Sequence, residues 1–186
     1  MTFIVAIDGA AGTGKGTISR GISKEFNFSY FDTGLIYRGL ALKTISKYGE
    51  DFIKKDAISE ANIFDINSVN ESEIRNPLID KYSSIIASIP EVRNIVVNIQ
   101  RNFGKKSKGH KGIVVGGRDI GTIIFPNANL KLFISASLEE RAKRRFSDFL
   151  DKNEKISYNE VIKQLQKRDQ RDKERSVAQE VAPKDA

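Results

Sequence analysis

Short apolar runs alternate along this 186-residue chain with stretches whose apolar residues recur at helical spacing. The runs predict four strands buried in a sheet, at residues 3–7, 28–31, 113–115 and 130–134. Helices are predicted after the first two strands, at residues 15–26 and 35–48. The second of these helices has four apolar residues near one face, namely Tyr37, Leu40, Ala41 and Ile45. Strands that alternate with helices indicate an α/β fold with a parallel sheet.

Two more helices close the chain, and each begins with the pattern of a capping box. Ser137 is followed three residues later by Glu140, and Ser157 by Glu160, so each pair can bind the free amides of a first helical turn. The long stretch between the second and third predicted strands is mostly helical in pattern. We therefore expect a single domain, residues 1–186, built from a core (1–39 and 101–140), a helical insert (about 40–100) and a helical region after the last strand (about 141–175).

The composition excludes several kinds of catalytic site. With 39% hydrophobic and 30% charged residues, the chain resembles soluble globular proteins. The absence of cysteine excludes disulfides, thiolate zinc sites and cysteine nucleophiles. The single histidine, His110, argues against a Ser-His-Asp triad and a multi-histidine metal site. No apolar run approaches the ~20 residues of a membrane helix, and Asp8 comes too early for a signal peptide, so we expect a cytoplasmic protein.

The net charge of +7 is unevenly distributed. Residues 93–118 hold seven Lys or Arg and no acidic residue, whereas residues 51–92 hold four basic and eight acidic residues. Residues 104–112 have the composition of a solvated loop, and their charge would also attract an anionic ligand. Nucleic-acid binding stays open on charge alone, although this segment has no aromatic residue on which bases could stack.

The sequence GAAGTGKGT at residues 9–17 carries the most information about chemistry. It lies between a predicted buried strand and a helix, which is the context of a phosphate-binding loop. Its glycines allow backbone amides to turn toward a phosphate at the helix N-terminus. Lys15 would bridge the β- and γ-phosphates, and the Thr17 hydroxyl would hold Mg²⁺. Gly16 stands where the strict pattern has Ser or Thr, and Thr17 follows it. The loop indicates binding of a nucleoside triphosphate but does not identify the second substrate.

Arginines recur at helical spacing in the last two predicted helices. One face of the first carries Arg141, Arg144 and Arg145, and one face of the second carries Arg168, Asp172 and Arg175. Surface ion pairs could account for any one of these arginines, but phosphoryl transfer needs several fixed cations. Residues 32–38 and 117–122 follow predicted strands. They should meet the glycine-rich loop in one cleft, because ligands of open α/β sheets lie at the carboxyl ends of the strands.

The GKGT ending of the loop is similar to that of the nucleoside-monophosphate kinases, and residues 3–178 resemble the bacterial cytidylate (CMP) kinases. The resemblance is most specific in five segments: IDG at 7–9 with the loop, DTGLIYR at 32–38, EIR at 73–75, GRDIGT at 117–122, and the arginine-rich residues 168–175. It implies a P-loop kinase three-layer α/β sandwich with a parallel sheet, a small helical acceptor-binding insert and a short arginine-rich lid.

The resemblance also implies a role for each matching residue. Four would recognise cytosine: Thr33, Ser84, Arg93 and Asp172. The acceptor phosphate would be held by Arg38, Arg118 and Arg175, the ribose by Asp119, and the anionic pocket completed by Arg75 and Arg168. Catalysis would rest on Lys15, Arg118, Arg168 and Arg175. The ATP site would comprise Gly9, Ala10, Ala11, Gly12, Thr13, Gly14, Lys15, Gly16, Thr17, Arg141 and Arg145, with Mg²⁺ at Thr17 and Asp32.

Three features depart from the family pattern. Gly116 stands where the family carries an acidic residue, which leaves Thr17, Asp32 and the phosphates to bind the metal. The stretch between Arg38 and Arg75 is shorter than in the longer members. Gln179-Glu180 replaces the expected Pro-Leu, and the sequence stops at Ala186 where the family continues. We therefore expect a sheet without its last core strand, from a truncated sequence or an impaired protein.

The expected activity is transfer of the γ-phosphoryl group of MgATP to CMP or dCMP by a monomer that binds neither nucleic acid nor membranes. Three alternatives stay open. They are a kinase for UMP or AMP, a nucleotide-binding homologue without turnover, and a nucleic-acid binder acting through residues 101–112. Retention of many charged positions on the acceptor side argues against a homologue that only binds ATP.

Overall fold

The computed structural model describes residues 2–106, 111–151, 155–174 and 182–186. The chain forms two compact units. The first combines Met1–Asp32 with Gly104–Ala186, and the second is Thr33–Phe103.

Strands and helices alternate in the order expected of an α/β protein. The strands are β1 (Phe3–Asp8), β2 (Ser29–Asp32), β3 (Gly112–Gly117) and β4 (Leu130–Phe133). The α-helices are α1 (Lys15–Phe26), α2 (Gly34–Tyr48), α3 (Lys54–Asn62), α4 (Pro77–Ile86), α5 (Pro90–Lys106), α6 (Leu138–Leu150) and α7 (Tyr158–Glu174). A short 3-10 helix (Ile66–Ser68) and one π-helical turn (Ile120–Ile124) complete the described elements. None of the described helices is long and apolar enough to cross a membrane.

The first unit is built on a sheet that, within the described residues, has four strands in the order β2-β3-β1-β4. All three pairings are parallel. The four predicted strands and the parallel α/β fold are therefore confirmed. β1 and β3 lie in the centre of this sheet, and Val5, Ile7 and Val114 form a buried cluster against which Ile22 of α1 packs. Residues 179–180, on which the expectation of a missing last strand depends, lie outside the described residues.

Helices α6 and α7 of the first unit pack against each other through a second apolar cluster. Its buried members are Ala142, Phe149, Val161 and Leu165, and Ala11 of the loop after β1 packs against them. The two predicted caps are present. Ser137 accepts a hydrogen bond from the Glu140 amide, and Ser157 and Glu160 form the full reciprocal box. The packing of Ala11 against this cluster places α6 beside the loop that follows β1.

The second unit is helical, as the sequence pattern predicts for most of this region. Its buried side chains include Ile36, Leu40, Ala57, Ile79, Ile86, Val92 and Val96. The predicted inner face of α2 is confirmed at Leu40 and Ala41, which are fully buried, whereas Tyr37 and Ile45 are partly exposed. Ile36 and Thr44 are also fully buried on this helix. Thr44 can be buried because its hydroxyl donates to the Leu40 carbonyl at 2.7 Å.

Candidate functional site

The loop between β1 and α1 has two positions, Gly9 and Gly14, whose backbone angles favour glycine. Gly9 has φ +141°, and a Cβ built there would lie 2.1 Å from the carbonyl oxygen of Ile134. Gly14, at the start of α1, has φ +94°. Both angles fall in the region that favours glycine. The close approach of Gly9 to the end of β4 fixes where the loop leaves the sheet.

Lys15 lies in the first turn of α1 with its ammonium group turned back over this loop. The ammonium donates to the Gly9 and Ala10 carbonyls, and it lies 3.3 Å from the Thr13 hydroxyl. The Thr13 hydroxyl in turn donates to the Ala10 carbonyl at 3.0 Å. The structure thus brings a cation and the N-terminus of a helix together, which is the arrangement that binds phosphate groups.

Two arginines of α6 bind the same loop from the side. The Arg141 guanidinium forms a bidentate pair with Asp169 of α7, at 2.9 and 2.6 Å, and also donates to the Ala11 carbonyl at 3.3 Å. Arg144 donates to the Thr13 carbonyl at 3.0 Å. The Arg145 guanidinium lies 4.8 Å from the centre of the Phe149 ring. Arg141, assigned to ATP from sequence, contacts the loop, and Arg144 makes a loop contact that the sequence reasoning did not assign.

The carboxylate of Asp8 is buried at the base of the loop. Its two oxygens accept hydrogen bonds from the Ile120 and Gly121 amides, both at 2.8 Å. Burial raises the pKa of Asp8, and the two amides and the charge of Lys15 act in the opposite direction. Sequence reasoning quoted Asp8 only as part of a motif. A charged residue at the end of an otherwise apolar strand was the available signal.

The turn that Asp8 binds follows two residues assigned to the acceptor. Arg118 and Asp119 immediately precede Ile120–Ile124, and Asp119 is buried. The Arg118 guanidinium donates to the Asp172 carboxylate of α7 at 3.0 Å, and both side chains are largely buried. Arg168 lies one helical turn before Asp172 and is partly exposed. The structure therefore brings Arg118 and Asp172 together, whereas Arg175 lies outside the described residues.

The remaining acceptor residues belong to the helical unit. Arg38 of α2 donates to Asp80 of α4 at 3.0 Å, a pairing that the sequence reasoning did not foresee. Arg93 is buried in α5, donates to the Ala87 carbonyl at 3.3 Å and lies over the Tyr37 ring.

The other three positions of this unit differ in exposure. Thr33 is buried at the start of α2, and Ser84 is buried in α4. Arg75 is exposed and pairs with Glu71 at 2.7 Å. Thr33, Ser84 and Arg93 are therefore buried, and Arg75 is the most solvent-exposed of these four positions.

The candidate metal ligands are both hard oxygen donors, the class that Mg²⁺ prefers. Thr17 is exposed in the first turn of α1, and Asp32 ends β2, where it lies opposite Gly116 in the sheet register. In the described part of the chain, no group of three or more His, Cys, Asp or Glu could hold a metal ion. Thr17 and Asp32 are oxygen donors that suit a magnesium ion bound together with a nucleotide.

Comparison with known proteins gives consistent results along the chain. A family model described as "Cytidylate kinase" matches residues 5–186. A cytidylate kinase of Fusobacterium nucleatum subsp. nucleatum is 44% identical over 176 residues, which cover 89% of this chain and 79% of that protein. One of Caldanaerobacter subterraneus subsp. tengcongensis is 41% identical over 197 residues, covering 100% of this chain and 86% of the relative.

A likeness to a solved structure concerns the fold alone. The crystal structure of an uncharacterized protein from Eubacterium ventriosum matches with a TM-score of 0.51 at 15% identity, covering 100% of this chain and 84% of that one.

Proposed function

Because the chain belongs to the cytidylate kinase family, we propose that it transfers the γ-phosphoryl group of ATP, bound with Mg²⁺, to CMP or dCMP, giving ADP and CDP or dCDP. The observation that carries the proposal is the glycine-rich loop with the Lys15 ammonium turned over it, flanked by arginines of α6. This arrangement suits the phosphates of a nucleoside triphosphate.

On the donor side, the loop amides and Lys15 would hold the β- and γ-phosphates. The Lys15 ammonium is bound to the loop carbonyls of Gly9 and Ala10, so it lies where it could also bind phosphate oxygens. Thr17 and Asp32 would hold Mg²⁺ together with phosphate oxygens. When bound, the ion supplies positive charge to the transferring group. Arg141 and Arg144 keep α6 against the loop during these exchanges.

On the acceptor side, the nucleophile is a phosphate oxygen that is already ionised, so the protein need not supply a general base. Catalysis then depends on positioning and on neutralisation of charge. Arg38, Arg118 and Arg175 would bind the acceptor phosphate, and Arg168 would contribute positive charge at the reaction centre. Arg38 is held by the Asp80 carboxylate and Arg118 by the Asp172 carboxylate, which fixes the direction of each guanidinium.

Selection of cytosine would depend on polar side chains that match its donors and acceptors. The Asp172 carboxylate can accept from an exocyclic amine, and Ser84 and Thr33 can donate to ring acceptors. By the family resemblance, Arg93 would also recognise the base, Asp119 would bind the ribose hydroxyls and Arg75 the phosphate. A pocket built on hydrogen bonds rejects bases that leave its polar groups unpaired.

The test is ADP release from MgATP with CMP, dCMP, UMP, AMP or no acceptor, each at the same concentration. We expect release that depends on CMP or dCMP over a low background without acceptor. Faster release with UMP or AMP would identify another nucleoside-monophosphate kinase. No release with any acceptor, from folded protein that binds ATP, would identify a nucleotide-binding homologue without turnover. A monomeric state, a cytoplasmic location and the lack of binding to nucleic acid or membranes stay predictions.

A further inference from the structure

Asp8 joins three strand ends within the first unit. It is the last residue of β1, and its backbone carbonyl accepts the Ile134 amide after β4 at 2.8 Å. Its carboxylate accepts the Ile120 and Gly121 amides after β3, as described above. The side chain is 1% exposed. A residue directly before the phosphate loop is thus bonded to the segment that follows Arg118 and Asp119.

The turn bound by Asp8 has little freedom to shift. A Cβ added at Gly121 would lie 3.3 Å from the Asp8 carboxylate, 3.0 Å from Pro183 and 3.2 Å from the Lys131 side chain. Lys131 is itself held by both oxygens of Asp185, at 2.9 and 2.7 Å. The turn is therefore enclosed by the carboxylate on one side and by the described end of the chain on the other.

The two oxygens of the Asp8 carboxyl group satisfy both amides of this turn. Each oxygen of Asp8 accepts one N–H, whereas an asparagine would offer one oxygen and turn its amino group toward the other N–H. Burial of the charge opposes ionisation, and Asp119 adds a repulsive charge while Lys15 adds an attractive one. The buried Asp8 side chain, by accepting hydrogen bonds from the Ile120 and Gly121 amides, holds the turn after Asp119 in place.

We propose that Asp8 is a positioning residue for phosphoryl transfer, because its carboxylate fixes Arg118 and Asp119 relative to the loop that carries Lys15. This inference rests on the proposed function. Asp8 touches neither substrate and acts through the turn. Loss of its second hydrogen bond should lower the rate of transfer more than the affinity for ATP, because the donor loop keeps its own contacts.

The experiment is a double-mutant cycle of Asp8→Asn with Arg118→Ala, read as kcat and as KM for ATP and for CMP. In the otherwise native enzyme, Asp8→Asn should lower kcat on the order of 10- to 100-fold, the cost of displacing a catalytic group by a fraction of an ångström to one ångström. In the Arg118→Ala background, the same change should lower kcat less than about threefold, because residues that act as a unit are not additive.

The matched control is Glu60→Gln, which changes another buried carboxylate outside the proposed machinery. Glu60 binds Lys47 at 2.9 Å and Tyr48 at 3.3 Å in the helical unit. This variant should lower the melting temperature and leave kcat unchanged. If Asp8→Asn does not fold, Gly121→Ala displaces the same turn while keeping the carboxylate, and its kcat loss should show the same dependence on Arg118.

The outcomes separate this inference from the function on which it rests. Equal fold-losses of kcat with and without Arg118, or an unchanged kcat in the folded Asp8→Asn enzyme, would overturn the positioning role and leave the kinase activity standing. If Asp8→Asn does not fold and Gly121→Ala replaces it, an unchanged kcat in Gly121→Ala would likewise overturn the positioning role of Asp8. A native enzyme without acceptor-dependent ADP release would overturn the proposed function and this inference with it.

Discussion

The contact between Arg141 and Asp169 offers a direct test of how α6 and α7 are held together. Arg141 is buried in α6 and binds both Asp169 in α7 and the Ala11 carbonyl in the phosphate loop. Replacing Arg141 with Met keeps most of the side-chain length but removes every donor. The Asp169 carboxylate would then lose both of its bonds to the guanidinium, and the loop carbonyl would lose its contact with α6.

The size of the effect follows from the burial of the pair. Breaking a buried ion pair from one side costs about 3–5 kcal/mol. Asp169 is 20% exposed against 7% for Arg141, so water can partly solvate the freed carboxylate. We therefore expect a loss of about 2–4 kcal/mol in the free energy of unfolding. For a chain of this length, each kcal/mol moves the melting temperature by about 2–4 °C, which gives a decrease of roughly 4–16 °C.

The assay is thermal unfolding followed by circular dichroism, with Arg145→Met as the matched control on the same helix. Arg145 lies over the Phe149 ring, a contact worth about 0.5–1 kcal/mol at a partly exposed site. Arg141→Met should also raise KM for ATP severalfold, because the Ala11 carbonyl loses its tie to α6. A decrease in melting temperature no larger than that of the control would refute the reasoning.

Three further predictions concern single side chains. Lys15→Ala should remove most turnover while the fold is retained, because the ammonium that would bind the ATP phosphates is lost; near-normal turnover would exclude Lys15 from the binding of those phosphates. Asp172→Ala should raise KM for CMP far more than KM for ATP, and equal weakening of both would contradict the assigned base pocket. Asp185→Asn should lower the melting temperature near neutral pH, because the hydrogen bond from Lys131 lowers the pKa of Asp185 from its ordinary 3.8. This stabilisation is present above pH 3.8 and is lost as the pH falls through the lower folded pKa, so a difference from the native protein that grows in acid would contradict it.

Local sequence was sufficient to predict the elements around the site. The apolar run before Gly9 predicted β1, and the glycines after it predicted the turn into α1, because both depend on the conformation of neighbouring residues. The caps at Ser137 and Ser157 were predicted for the same reason. The face of α2 was predicted only in part, because Thr44, polar by composition, satisfies its hydroxyl within its own helix and can be buried.

The long-range partners of charged residues could not be predicted from spacing. Helical periodicity placed Arg141, Arg144 and Arg145 on one side of α6, but their partners depend on how α6 packs against the loop and α7. The hydrogen bond that the Gly121 amide donates to the Asp8 carboxylate joins residues 113 positions apart. Such pairs follow from the order of strands in the sheet, which a single sequence does not reveal.

The central claim is that the γ-phosphoryl group of ATP passes to CMP and not to water. The most direct measurement is the amount of CDP, ADP and inorganic phosphate formed from MgATP and CMP, separated by chromatography over the first turnovers. We predict CDP and ADP in equal amounts, with little free phosphate. ADP accompanied by an equal amount of inorganic phosphate, without CDP, would contradict the account.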